Sequence, residues 1–463
     1  MANRKRTKTK LTNPHTGQPL NTTPPCAVDG CDGRAQDGAT LCTHCESEAQ
    51  AIVGAAMAGS ELTGSDPSQL LGGTVLAQPE VRTIHVIGLH HTIPDERFSH
   101  CAFTGKVLRF SEVLHRAGLR VVEYSNGKSA SKADQHAQIF SEAQLLDHYG
   151  ERLYTDVTAG PNGAPATHQD TEHEHAFHAL VRMHLKRHAK PGDFLAHVSG
   201  WTTQQFVQWF PQLIHVETGI GYMSAPFGAH RIFESEAHRA WHMGHWTCGD
   251  HGAPKADEFP NYASLCTTYV VPNYYDENDW HSAEPDLEKP YVLYVGRMTS
   301  SKGIEIVNRL AELHPELTFK YVSGELRSDR LTATNTQWIG RVTDRTELSR
   351  LYAHALCTLV PSRYHEPFGG VCSEALLSGC PVIASNFACF VDHVCEGDGI
   401  LASSAHEFAA ALDYLLQQPP EHARCRELRR ERAGARWGYD AVGRRYRAAF
   451  ESILLNIKHG VVP

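Results

Sequence analysis

From Arg82 onward the chain alternates short apolar runs with amphipathic stretches, and few folds accept that alternation. Thr83-Ile84-His85-Val86-Ile87-Gly88 reads as a strand, residues 107–117 as its helix, and Arg120-Val121-Val122-Glu123-Tyr124 as a second strand. Strands separated by helices run parallel and form a doubly wound sheet. Residues 193–198, 213–216 and 231–235 extend the same sheet. The pattern restarts at Tyr291-Val292-Leu293-Tyr294-Val295-Gly296-Arg297, a buried strand ending in glycine, then Met298-Thr299-Ser300-Ser301-Lys302-Gly303 and an amphipathic run through Ala311. The expected fold class is therefore α/β, two Rossmann-like domains on either side of a crevice.

His365-Glu366-Pro367-Phe368-Gly369-Gly370-Val371-Cys372-Ser373-Glu374 gives the crevice its chemistry. It places two carboxylates eight positions apart around a glycine pair that opens a helix. The first N–H groups of a helix are unpaired and carry the positive end of its dipole, so a diphosphate docks there. Gly369 and Gly370 let the backbone approach a ligand with no Cβ in the way. Glu374 falls about one turn into the helix, within reach of a ribose. Glu366 stays on the loop, where it meets sugar hydroxyls. Arg297 and Lys302, at the carboxyl end of the preceding strand, face the same crevice and neutralise the phosphates.

These residues resemble the retaining glycosyltransferases of the two-Rossmann-domain (GT-B) type that carry a Glu-x7-Glu motif, over about residues 81–458. The resemblance implies that Arg297 and Lys302 bind the donor phosphates and act in catalysis, with Glu366 on the transferred sugar and Glu374 on the ribose. Gly296, Phe368, Gly369, Gly370 and Val371 would form the rest of the donor site. Val271-Pro272-Asn273-Tyr274-Tyr275-Asp276 is similar to the family's interdomain Pro-Asn-Gly-Val-Asp segment, with Tyr274 in place of glycine. Ala388-Cys389 stands where many relatives have a glycine pair. The donor implied is a nucleotide sugar, a UDP-sugar first, with GDP- and ADP-sugars open. The chain has no Asp-x-Asp motif, so no catalytic metal is expected to clamp the diphosphate.

In the amino-terminal domain, Cys101-Ala102-Phe103-Thr104-Gly105-Lys106 reads as a loop opening the first helix. By the same resemblance it gives Gly105 and Lys106 to the acceptor side and the donor phosphate; a glycine turn capped by Thr104 is the structural alternative. Glu217 is placed just past a strand end, as a crevice residue.

Of the thirty histidines, those from His168 to His188 read as a solvated helix face between Glu172 and Lys190. The amino-terminal cysteines differ. Cys26-x4-Cys31-x10-Cys42-x2-Cys45 offers four thiolates in two knuckles for one structural Zn²⁺. So short a module has too few apolar residues to fold by burial, and the metal would supply its folding free energy.

The expected organisation is a basic disordered arm at 1–25, a zinc knuckle at 26–50 and a linker at 51–80. An acceptor-side Rossmann-like domain follows at 81–272, then a nucleotide-sugar domain at 273–439. A final helix at 440–463 folds back on the first domain. A chain of 463 residues, 41% hydrophobic, has enough material for two cores. With no long apolar run and a basic start, it is expected to have no membrane partner and to be cytoplasmic.

A zinc knuckle behind the cations Arg4, Lys5, Arg6, Lys8 and Lys10 suits phosphate contacts to nucleic acid. The combination resembles phage DNA-modifying glycosyltransferases. It implies DNA as partner and a hydroxymethylated pyrimidine, 5-hydroxymethylcytosine, as acceptor, flipped into the crevice against aromatics such as Trp201, Phe206, Trp209 or Tyr222. A small-molecule, glycan or RNA acceptor, and a nucleic-acid-binding protein on a degenerate transferase fold, are the alternatives.

Overall fold

The computed structural model describes residues 81–98, 101–154, 171–247, 267–324, 328–418 and 423–460. The cysteine cluster Cys26, Cys31, Cys42 and Cys45, the basic arm and the linker lie outside the described residues.

The first sheet consists of β1 (Ile84–Ile87), β2 (Val121–Ser125), β3 (Gln135–Gln138), β4 (Phe194–His197), β5 (Ile214–Ile220), β6 (His230–Phe233) and β7 (Thr267–Val270). Its order is β3-β2-β1-β4-β5-β6-β7, and each neighbouring pair is parallel. The helices between these strands include α1 (Ala102–Arg116), α2 (Thr171–His188) and α3 (Glu236–Thr247). The strand order reverses direction between β1 and β4, so the loops after these two strands diverge and leave a crevice at their carboxyl ends.

The second sheet repeats the plan with β8 (Tyr291–Val295), β9 (Thr318–Val322), β10 (Thr336–Gly340), β11 (Cys357–Val360), β12 (Val382–Ser385) and β13 (Gly399–Ala402). The order is β10-β9-β8-β11-β12-β13, again parallel, and its reversal lies between β8 and β11. Helix α4 (Ile304–Leu313) follows β8, α5 (Gly370–Leu377) follows β11, and α6 (Tyr439–Lys458) is the last described helix. The strands are buried on both faces, which is why they read as nearly continuous apolar runs.

Helix α6 buries Val442, Tyr446, Phe450 and Ile453 in the core of the amino-terminal domain, against Phe110, Val113 and Phe194. The chain therefore crosses between domains twice, and the two crossings pair. Tyr275 N–H donates to the Trp437 carbonyl at 2.9 Å, and Tyr439 N–H to the Tyr275 carbonyl at 3.2 Å. Tyr274 fills the place of the expected glycine as a packed residue. Its ring lies against Phe110 and Tyr446, and its hydroxyl donates to the Lys106 carbonyl at 3.1 Å.

Several elements differ from the sequence reading. Helix α1 begins five residues earlier than expected, so Gly105 and Lys106 lie in its first turns and not in a loop. Thr104 does not cap it; Cys101 is the N-cap residue, and the Thr104 hydroxyl pairs with that of Thr92 at 2.5 Å. Strand β5 runs on to Ile220, because Thr218 and Ile220 continue its buried face, and this brings Glu217 inside the strand. The histidines of α2 do not form a uniformly solvated face. His178 is buried, and His173 stacks on Phe140 and His148.

Candidate functional site

The loops leaving β8 and β11 build one half of the site. Gly303 takes φ 72° between the turn 300–302 and α4, and a Cβ there would overlap the Pro361 carbonyl. That close approach carries Lys302 to the end of β11. Its Nζ pairs with the Glu366 carboxylate and sits 4.9 Å from the Tyr364 ring centre. Two hydroxyls hold the same carboxylate, Ser362 Oγ at 2.7 Å and Tyr364 Oη at 2.7 Å. Glu366 is buried and three donors converge on it, which fixes its position before any ligand arrives. Arg297 is exposed at the end of the same strand unit. Gly296, at φ 150°, ends β8 in a conformation that favours glycine.

Helix α5 starts at Gly370 behind Gly369, whose φ is 69° and whose missing Cβ leaves room for the Phe390 ring. No side chain caps it, and Cys372 N–H already turns back to the Gly369 carbonyl at 2.9 Å. Gly370 and Val371 line the same small pocket as Lys302, Ser362 and Glu366. The Phe368 side chain points the other way. It is buried against Tyr275 and His393, so its contribution to the site is to anchor the loop.

Glu374 accepts a hydrogen bond from Tyr352 Oη at 3.0 Å. Burial pushes its pKa up to about 7, opposed by the Tyr352 hydroxyl and by the fields of Arg109 and Arg345. Arg109 belongs to α1, so a cation of the amino-terminal domain acts on a carboxyl of the other. Tyr275 Oη donates to the Gly370 carbonyl at 3.4 Å.

The amino-terminal residues expected in the crevice are arranged differently. Lys106 pairs with Glu234, and its Nζ donates to the Gly219 carbonyl at 3.0 Å. Glu217 is fully buried beside Arg231 on β6. It accepts from Tyr222 Oη at 2.5 Å and from Gly228 N–H at 2.6 Å. Burial pushes its pKa up, and those two donors oppose the shift. Glu217 is thus no open crevice residue; it orients Tyr222. That ring lines a cavity of 1320 Å³ at the β1/β4 reversal, walled by the loops after β1 and β4 and by α2. Trp201 and Trp209 line it too, whereas Phe206 is buried core.

The two halves meet at the start of α3. Ser235 Oγ donates to the Pro367 carbonyl at 2.6 Å, Ala237 N–H donates to Asp392 at 3.0 Å, and His238 and Trp241 stack on His365. Sequence reasoning missed Ser362, Tyr364, Ser235, Tyr352 and Arg109. The first two were accessible, since they lie at the carboxyl end of a strand beside the sheet reversal. Among the described residues no three metal-ligating side chains converge on one point.

Two parallel sheets joined by paired crossings, with a glycine-opened helix at the reversal of the second, are the two-Rossmann-domain (GT-B) fold. Residues 276–432 match the family Glycosyl transferases group 1. A glycogen synthase of Mycobacterium tuberculosis is 28% identical over 195 residues, 38% of this chain and 47% of that protein. The match thus spans about half the length of that relative. An uncharacterised glycosyltransferase of Methanocaldococcus jannaschii is 31% identical over 144 residues, 28% of this chain and 36% of its own. In fold, a sucrose-phosphate synthase from Thermosynechococcus elongatus superposes with a TM-score of 0.57 at 18% identity, over 81% of this chain and 99% of its own. Anabaena HepE, solved in complex with UDP, gives 0.51 at 14% identity, over 80% and 100%.

Proposed function

We propose that the protein transfers a sugar from a nucleotide sugar, a UDP-sugar first, to a hydroxyl group with retention at the anomeric carbon. One observation carries this reading: Lys302, Glu366 and the uncapped start of α5 surround one pocket at the sheet reversal. The donor diphosphate lies on the Gly370 and Val371 amides and takes Lys302 from Glu366, with Arg297 as second cation. Glu366, released from the ion pair, accepts from sugar hydroxyls, and Glu374 meets the ribose.

The acceptor oxygen attacks the anomeric carbon on the face the phosphate leaves. The bond from that carbon to the phosphate oxygen breaks and a bond to the acceptor oxygen forms. The hydroxyl proton passes to the departing phosphate. Lys302, Arg297 and the helix start hold the charge that grows on the leaving diphosphate, and a preorganised contact of this kind is worth about 10²–10³ in rate. No residue in this scheme requires a catalytic metal.

The acceptor in this reading is the hydroxymethyl group of 5-hydroxymethylcytosine in DNA, turned out of the helix into the aromatic cavity. Cys26, Cys31, Cys42 and Cys45 hold a structural Zn²⁺ in the same reading, and elemental analysis of the full chain tests it. One zinc per chain is expected, and none overturns that part.

The test of the function is mass spectrometry of nucleosides from DNA containing 5-hydroxymethylcytosine, after incubation with a panel of UDP-sugars. A sugar-sized mass gain on that base is the expected result. Slow release of UDP with no gain retains the transferase and rejects this acceptor. Neither gain nor UDP release from any donor rejects both.

A further inference from the structure

The cavity at the β1/β4 reversal holds features that the transfer step alone does not require. Pockets for small ligands run to roughly 300–1,000 Å³. At 1320 Å³ this one exceeds what a single sugar ring needs. Its mouth is apolar and open, with Trp201 54% and Met183 49% exposed, and large side chains of this kind left open at a cavity mark a binding surface. Trp209 lies deeper. The walls are fixed in advance: Gln205 Nε2 lies 2.8 Å from His178 Nδ1, and Glu217 holds the Tyr222 hydroxyl. Gly200, at φ 67°, brings the loop after β4 against the Tyr222 ring, where a Cβ would come within 3.1 Å.

One wall carries cations. Arg182 and Lys186 stand one turn apart on α2 and both line the cavity. The Arg182 guanidinium lies 4.8 Å from the centre of the Trp209 ring. The lining carboxylate of α2, Glu174, sits about three turns from Lys186 and leaves this end of the cavity positive.

We propose that this cavity binds its acceptor as a planar aromatic ring joined to a phosphate, with the ring between Trp201 and Trp209 and the phosphate on Arg182 and Lys186. The proposal rests on the transferase reading and specifies the acceptor class of that same site. A flat ring gains stacking area on indole faces, while a phosphate pairs with the Arg182 and Lys186 cations that line this wall. A neutral sugar would use neither. The phosphate is that of a free nucleotide or of a polynucleotide chain.

Intrinsic tryptophan fluorescence of the full chain, saturated with UDP to block the donor pocket, tests this. Titration with 2′-deoxycytidine 5′-monophosphate is expected to quench saturably, and 2′-deoxycytidine to bind at least about tenfold more weakly. In an Arg182→Ala/Lys186→Ala variant the nucleotide falls to the nucleoside's affinity. Trp201→Ala, at an exposed position, weakens both ligands and leaves UDP binding unchanged. A single-stranded oligonucleotide that binds more tightly than the monophosphate, with a steep salt dependence, assigns the phosphate to a polymer; equal affinity assigns it to a free nucleotide. Equal binding of nucleotide and nucleoside, or wild-type affinity in the double variant, overturns the proposal. So does the lack of any saturable response while UDP still binds. Failure of the wild type to bind UDP at all rejects the transferase reading itself.

Discussion

Lys302 and Glu366 form an ion pair across the floor of the pocket at the start of α5, with Ser362 and Tyr364 holding the same carboxylate. The pair joins the loop after β8 to the loop after β11, and in the proposed reading it places the cation for phosphate next to the anion for sugar. In that reading donor binding separates them. Lys302→Ala is expected to lower turnover by about 10²–10³ and to weaken donor binding. Glu366→Gln, which leaves Lys302 unpaired, lowers turnover with little change in donor KM. Steady-state UDP release measures both, and a change of less than about twofold in turnover for either variant contradicts these roles.

Gly303 sets that ion pair through backbone geometry. With φ 72° and the Pro361 carbonyl where a Cβ would stand, Gly303→Ala must shift the loop that carries Lys302. The expected loss is about 1–3 kcal/mol of stability, with turnover reduced as well. Urea denaturation provides the first number; an unchanged midpoint would show that the loop accommodates a side chain.

Ala388 is the one non-glycine residue with positive φ among the described residues, at 53°, on the loop after β12. A left-handed conformation costs an L-residue roughly 1–2 kcal/mol. Ala388→Gly is therefore expected to stabilise the protein by up to about 1 kcal/mol, less the entropy that glycine adds to the unfolded chain. A higher denaturation midpoint confirms it, and a lower one shows that the alanine methyl contributes packing that outweighs the strain.

Glu374 links the site to pH. Its carboxyl holds a proton up to about pH 7 in the folded protein, against an ordinary value of 4.5. Between those values the folded state binds more protons than the unfolded state, so stability falls as pH rises through the window, by roughly 3 kcal/mol in all. Glu374→Gln keeps an acceptor for Tyr352 and removes the titration. Relative to wild type, the variant is expected to gain stability at pH 8 and little at pH 4; parallel profiles would contradict the assignment.

Much of the fold was legible because the strands of parallel sheets are buried on both faces and read as plain apolar runs, as at 291–295 and 84–87. The polar strand Gln135–Gln138 was not, since an edge strand has no such pattern. Glu217 was misplaced for a related reason. A buried carboxylate looks like a strand end until the Tyr222 hydroxyl and Gly228 amide that satisfy it are seen. The start of α1 was hidden by Gly105, which normally signals a turn yet here packs beneath the Arg109 guanidinium. In the carboxyl-terminal domain, glycines and charges cluster in two short segments after buried strands, 296–303 and 365–374, so the sequence pointed to Lys302 and Glu366, which the fold brings to one pocket. The cavity beside α2 draws its walls from segments far apart in sequence, and no local pattern predicted Arg182 or Lys186.

The most direct measurement is calorimetric titration of UDP into the wild-type chain, Lys302→Ala and Glu374→Ala. Saturable binding by the wild type is expected, weakened at least about tenfold in each variant, since each loses a charge-assisted contact. Equal affinity in all three proteins, or no binding to the wild type, would contradict a nucleotide-sugar site at the start of α5.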